Sequence, residues 1–242
     1  MANEVKQSAR SKKVKKEMSQ NDRLNSLRAA VLGANDGVVS TAGLIFGVAS
    51  ATNNRAAIFT AGLAGLIAGA LSMGVGEYVS VSTQRDTEKA YIAKEKKLLK
   101  KDPVGQLADL AAAYEAKGVS HKTAMQFARE LTAEDPIKAH LEAELKLDEE
   151  DLTNPMTAAV SSLLSFTVGA LVPLLSAVLA PDHLRIQITL IAVVFGLVLT
   201  GYYSATVGGA SRRKAVLRVI VGGIMAMVVT YFIGRVFGTA VA

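Results

Sequence analysis

The chain has 242 residues, of which 50% are hydrophobic, 20% charged and 5% aromatic, and its mean hydropathy is +0.31. That balance is too apolar for a soluble domain of this size, and it excludes both a disordered chain and a disulfide-stapled scaffold. Cysteine is absent, which removes thiolate metal sites and redox dithiols. The net charge of +6 does not point to nucleic acid, because the basic residues cluster at the N-terminus and beside apolar segments, the pattern of a membrane surface.

An all-α membrane protein with five transmembrane helices is predicted. A helix needs about 20 mostly apolar residues to cross the hydrocarbon of a bilayer. Residues 1–26 form a basic tail, expected in the cytoplasm and against anionic lipid. Span one then runs from about Leu27 to Ala51 and span two from Ala56 to Val81, so 27–81 hold the first pair. Spans three to five occupy 156–242, at Met156–Ala180, Leu184–Val207 and Ala215–Val241. Lys and Arg set the orientation. The tail carries Lys6, Arg10, Lys12, Lys13, Lys15, Lys16, Arg23 and Arg28, and the loop after span four carries Arg212, Arg213 and Lys214. The two opposite loops carry only Arg55 and Arg185. The N-terminus is therefore expected in the cytoplasm and the C-terminus outside, in a multi-pass cell-membrane protein.

Residues 82–155 form a second, cytoplasmic module. It holds 15 of the 21 acidic residues and 12 of the 27 basic ones, and it is too long for a plain connection. No strong breaker separates span two from Lys101, so Ala56 to Lys101 reads as one helix on the order of 70 Å long. Asp102-Pro103 marks a cap followed by proline at the first helical position, and Gly118 ends that helix. Ser120 is expected to cap the next helix, to Glu134. Asp135-Pro136 repeats the cap-plus-proline signature for a helix to about Leu147, and Asn154-Pro155 repeats it for span three.

The acids of this module keep helical spacing. Glu88 and Glu95 share one face of the long helix. Glu130 and Glu134 are one turn apart, as are His140 and Glu144, while Glu115 lies near the end of the first short helix. Carboxylate and imidazole donors without thiolate suit Fe²⁺ or Mn²⁺. Solvated acids beside lysines are the competing reading of each one. The Glu-x-x-His signature of di-iron bundles is absent, and Asp148–Asp151 reads as a solvated connector.

Two acids fall inside spans, where a charge costs about 2.5–3.5 kcal/mol on insertion scales. Asp36 lies well inside span one, and Glu77 lies near the end of span two with Met73 one turn earlier. An intramembrane acid marks a pathway by default. Two carboxylates and a thioether together offer a divalent cation a binding point and a place for proton exchange. Glu77 also reads as an interfacial acid, and Met73 as packing. The spacings Gly33-x3-Gly37, Gly43-x3-Gly47 and Gly65-x3-Gly69 permit close helix contact and are compatible with dimerisation. Pro173 is expected to kink span three or open a cavity there. There is no G-x-x-x-x-G-K-[ST] phosphate loop, no nucleophile elbow and no H-E-x-x-H. Transport, if any, is then gradient-driven, and no enzyme is expected.

Two stretches resemble a known family. One is Ala34-Asn35-Asp36-Gly37-Val38-Val39-Ser40-Thr41. The other is Met73-Gly74-Val75-Gly76-Glu77-Tyr78-Val79-Ser80-Val81-Ser82-Thr83-Gln84-Arg85-Asp86. Together they resemble the vacuolar iron transporter family, including its bacterial and nodulin-like members, over about residues 22–240. The resemblance implies a homodimeric carrier that moves Fe²⁺, often also Mn²⁺, out of the cytoplasm against protons, with no permanently bound cofactor. It implies that Asp36 and Met73 are the pathway residues and that the insertion binds metal. Glu95 and Glu144 match that pattern best by position, with Glu88, Glu115, Glu130 and Glu134 also compatible. His140 and Leu141 depart from the methionines of some iron-storing members, and Glu77 occupies a position that other members fill with a neutral residue. A membrane-anchored metal sensor or scaffold and a divalent-cation channel are the rival readings. The intramembrane acids argue against a mere anchor.

Overall fold

The computed structural model describes residues 20–145 and 154–241. Most of the basic tail and the Asp148–Asp151 connector lie outside the described residues. The described chain is helical throughout. Helix α1 spans Gln20–Ala51, α2 Arg55–Lys101, α3 Pro103–Glu115, α4 His121–Glu134 and α5 Pro136–His140. A π-helical turn, Leu141–Leu145, follows. Then come α6 at Pro155–Leu179, a 3₁₀ turn at Asp182–Leu184, α7 at Arg185–Val207 and α8 at Arg212–Val241. Five of these helices, α1, α2, α6, α7 and α8, are long and apolar enough to cross a membrane. The all-α expectation with five spans therefore holds. Helix α1 starts ahead of Leu27 because no glycine or proline interrupts the polar run that precedes it.

The chain divides into two compact units. One is Ser80–Asn154; the other joins Arg23–Val79 to the chain from Pro155 onward. Helix α2, 47 residues long, is common to both.

The membrane unit has two cores. Ile45, Ile58, Leu66, Ala70, Phe166, Ala170, Leu174 and Ala177 tie α1 and α2 to α6. Val38, Ala42, Phe46, Val193, Leu197 and Met227 tie α1 to α7 and α8. Large apolar side chains point outward instead: Ile191, Val168 and Phe232 are 70%, 66% and 63% exposed. In lipid an exposed apolar side chain costs nothing, and the interior favours small residues that let backbones approach. Glycines make those approaches. A methyl group on Gly33 would lie 2.6 Å from the carbonyl oxygen of Ser162. One on Gly37 would collide with the carbonyl of Phe166, and one on Gly169 with that of Ala34. Gly43 and Gly47 face Thr230 of α8. These glycine pairs are thus engaged in packing within the chain. Pro173 is buried inside α6, which continues through it to Leu179.

The loop ends are clamped by arginines that the sequence marked only as charges. Arg185 is buried and donates to the carbonyls of Ala177 (3.1 Å) and Asn53 (3.4 Å) and to Asp182. Arg55 donates to Asp182 Oδ1 (2.8 Å) and to the Ala180 carbonyl (3.1 Å). Two positive side chains thereby satisfy carbonyls that the helix ends leave open.

The Ser80–Asn154 unit has its own core of Leu110, Ala111, Ala124, Ala128, Ala139 and Ala143. Tyr114 packs edge-on against Phe127, with 4.9 Å between ring centroids. Asp102 accepts from the Gly105 N–H (2.8 Å) and Asp135 from the Lys138 N–H (3.0 Å), the caps expected before each proline. Gly118 closes the turn after α3 at φ +93°, a conformation glycine adopts without strain. Two local expectations need correction. Ser120 occupies the cap position of α4 but makes no capping bond; its hydroxyl pairs with that of Thr123 at 3.0 Å. The helix expected to run from Pro136 to Leu147 gives way to the π turn at Leu141.

The close contact of α1 with α6 yields a test. Gly37→Ala overpacks it and destabilises the protein by about 1–3 kcal/mol. Gly222→Ala, which adds a methyl group with nothing within 4 Å, leaves stability unchanged or slightly raised. Thermal unfolding of the two purified variants in the same detergent checks the difference.

Candidate metal sites

Helix α2, the π turn and α5 bring three of the predicted ligands of the module together. His140, the last residue of α5, is 1% exposed and has its Nδ1 2.9 Å from Glu144 Oε1 and 3.3 Å from Glu95 Oε1. The contact with Glu144 is a hydrogen bond. Glu95 Oε1 is buried within ion-pair distance of the ring but makes no hydrogen bond. His140 Nε2 is buried without a hydrogen-bond partner. Glu95 lies well beyond the apolar stretch of α2. Burial and then the neighbouring Glu144 push its carboxyl above the ordinary glutamate range, outweighing the opposite pull of His140 and Lys94. A carboxylate held this way gains from any cation that replaces the proton.

An open cavity of about 400 Å³ adjoins this cluster, lined by Glu95, Gln106, Asp109 and Glu144 among others. Sequence reasoning missed Gln106 and Asp109. Their signal was present: they are three apart on α3, on one face of that helix. The other predicted ligands stand apart from the cluster. Glu115 bonds His121 at 2.7 Å, Glu88 accepts from Gln84 at 2.9 Å, and Glu130 accepts from Gln126 at 3.0 Å. Glu134 is exposed at the end of α4. Among the described residues, no three acid or histidine side chains are already arranged around a point that a metal ion would fill. Glu144 and Glu115 are held by histidines, and Glu88 and Glu130 by glutamines one turn away.

The second site lies in the membrane unit. Asp36, Ser40, Met73 and Glu77 line one cleft of about 400 Å³, with Thr41, Gly69 and Phe166 in its walls. Asp36 and Ser40 are one turn apart on α1, and Met73 and Glu77 one turn apart on α2, so each helix presents one stripe. Met73 also packs against the core beneath. The Ser40 hydroxyl donates to the backbone carbonyl of Asp36 at 2.6 Å, which leaves the carboxylate itself unbonded. Glu77 is 13% exposed; its Oε1 has no hydrogen bond and lies 3.5 Å from the guanidinium of Arg28. The three residues predicted on a pathway therefore share one cleft, with oxygen and thioether donors facing it.

Comparison with known proteins bears on both sites. A model of the VIT family matches residues 27–235. The chain belongs to this family. It is 36% identical to Vacuolar iron transporter homolog 2.1 of Arabidopsis thaliana, over 97% of this chain and 91% of that protein. It is 38% identical to the Vacuolar iron transporter of Acanthamoeba castellanii, over 86% and 77%. It is also 38% identical to Vacuolar iron transporter homolog 1 of Oryza sativa subsp. japonica, over 88% and 74%. The VIT family is one of transporters, not enzymes. The matched region contains the membrane cleft and the Glu95–His140–Glu144 cluster alike.

Two outcomes follow for the module of this VIT family member. His140→Ala removes a buried ring and the hydrogen bond it makes with Glu144, and costs about 1–3 kcal/mol of stability; Glu88→Gln, away from the cluster, costs little. Thermal unfolding separates them. The raised Glu95 carboxyl also sets a pH dependence. Cation binding needs the ionised form, so Mn²⁺ affinity at the module falls on acidification, starting above the range of an ordinary glutamate. Linkage runs the opposite way for stability: the fold favours the protonated carboxyl, so the Glu95 contribution is lost as pH rises through its folded value. Mn²⁺ titration calorimetry across pH, repeated with Glu95→Gln, checks the first trend, which the variant should flatten.

Proposed function

We propose that the chain is a secondary transporter that exports Fe²⁺, Mn²⁺ or both from the cytoplasm in exchange for protons. The observation that carries this reading is the convergence of Asp36, Met73 and Glu77 on one cleft between membrane-spanning helices. An acid in a span raises the cost of insertion, and a chain that only anchored a module would gain nothing from that cost. Carboxylate and thioether donors together suit a borderline divalent ion. The names of the relatives, vacuolar iron transporters and their homologues, favour iron as cargo.

In this reading the carboxylates of the cytoplasmic module collect the ion. The divalent cation replaces the proton shared by His140 and Glu144 and draws in Glu95. In the membrane cleft the ion meets Asp36, Met73 and Glu77, and protonation of a carboxylate releases it on the far side. The cleft is open along one flank, and an acid open to lipid is costly. A second copy of the chain covers that flank, making the working unit a homodimer. In this reading the protein sits in the cell membrane with the N-terminus in the cytoplasm and the C-terminus outside, the orientation that the Lys and Arg distribution favours.

Purified protein in liposomes, with a pH-sensitive dye inside, tests the mechanism. On adding Fe²⁺ or Mn²⁺ outside, metal entry accompanied by proton exit is expected, and Asp36→Asn lowers the rate by about tenfold or more while leaving the unfolding temperature unchanged. Metal entry without proton movement would instead describe a channel or uniporter. No entry of either ion into vesicles holding folded protein would leave a metal sensor or scaffold. Wild-type rates in Asp36→Asn would remove that residue from the pathway.

A further inference from the structure

Arg28 lines one cavity of the membrane unit and touches a residue that lines another. On one side its guanidinium lies 3.5 Å from Oε1 of Glu77, which lines the cleft with Asp36 and Met73. On the other side it lines a second cavity of about 590 Å³, whose walls include Asn35, Thr200 and Ser204. The two partners are unequal: the Arg28 side chain is 65% exposed and that of Glu77 13%. Glu77 Oε1 is buried and receives no hydrogen bond. Arg28 therefore balances the Glu77 charge through space without locking onto it. Contacts of this exposed kind are worth at most about 1 kcal/mol. The guanidinium is a loose tenant of the position that a cation in the cleft would take.

A loose +1 group has a definite consequence for selection. A monovalent ion arriving at Glu77 replaces one positive charge by another and must shed water to do so, so it gains no Coulomb energy over the resident guanidinium. A divalent ion gains about twice as much from the same carboxylate at the same distance. When Arg28 leaves, it has somewhere to go. Asn35 Oδ1, in the second cavity, is a buried acceptor without a partner, and the Thr200 and Ser204 hydroxyls line the same walls.

We propose that Arg28 is a charge filter on the cleft: its guanidinium stands in for the cargo on Glu77, yields to a divalent cation, and holds the site against monovalent ones. This specificity role rests on the transport reading above. The test is Mn²⁺ uptake by the full-length protein in liposomes, with K⁺ as competitor and N-methylglucamine at the same ionic strength as control. In wild type, K⁺ and N-methylglucamine have the same small effect. In Arg28→Gln the half-saturating Mn²⁺ concentration falls roughly two- to fivefold, the most a partly exposed pair supports, and K⁺ now inhibits where N-methylglucamine does not. Arg28→Lys, which keeps the charge, restores resistance to K⁺. Competition by K⁺ that is unchanged in Arg28→Gln, or matched by N-methylglucamine, overturns the filter while leaving transport intact. Resistance that Arg28→Lys fails to restore, with an unchanged unfolding temperature, overturns it as well. A wild-type protein that moves no Mn²⁺ overturns the transport reading instead.

Discussion

The membrane site depends on how closely α1 and α6 approach. Gly33 and Gly37 on α1 face backbone carbonyls of α6, and Gly169 on α6 faces one of α1. Side chains at these positions would force the helices apart. With no hydrophobic drive to join helices inside lipid, such backbone contact supplies much of the packing. It also fixes the rotation of α1. Gly37 points into α6, so Asp36, the residue before it, is turned to the neighbouring stripe, where Ser40 lies one turn on and the α2 residues Met73 and Glu77 complete the cleft. The glycine beside the acid is thus part of how the acid is aimed.

The two candidate sites solve one problem in different media. In the module, the cluster is buried beside an open cavity, and its acids are tolerated so long as hydrogen bonds or a proton compensate them. Glu95, buried beside Glu144, keeps its proton longer than an exposed glutamate would, and His140 Nδ1 bonds Glu144 and lies 3.3 Å from Glu95. In the membrane cleft, compensation is scarce. Asp36 has its backbone carbonyl bonded but not its carboxylate, and Glu77 relies on a guanidinium 3.5 Å away. A site left short of charge compensation favours an arriving cation, whereas one already satisfied must give up a proton first. Loop ends of the membrane unit follow the same economy: Arg55 and Arg185 share Asp182 and spend their remaining donors on free helix-end carbonyls.

Much of the architecture was legible in the sequence because it follows from periodicity and local chemistry. Five apolar runs, the continuity of α2 past the membrane, and the Asp-Pro starts of α3 and α5 all depend on residues near one another in the chain. Ser120 shows the limit of such reading. Its residue type and position suit a cap, but Thr123 took its hydroxyl. The π turn at Leu141 was likewise invisible, since nothing in Leu-Glu-Ala-Glu-Leu forbids an α-helix. The glycine pairs were read correctly as sites of close contact, yet their partners lie within the chain.

For function, the sequence by itself determined which residues are chemically equipped: Asp36, Met73 and Glu77 inside spans, and a helical module rich in glutamate. A charge within twenty apolar residues is conspicuous wherever the helix packs, because its cost is set by the lipid and not by neighbours. Only the tertiary structure decided which of the acids meet. It brought Glu95, His140 and Glu144 together, added Asp109 and Gln106 to their cavity, and set Glu88, Glu115 and Glu130 against local partners. It also placed Arg28 on Glu77, a pairing of α1 with α2 that no spacing along either helix encodes. Spacing along a helix fixes which residues share a face, but the neighbour that face meets is set by side-chain volumes summed over the whole bundle.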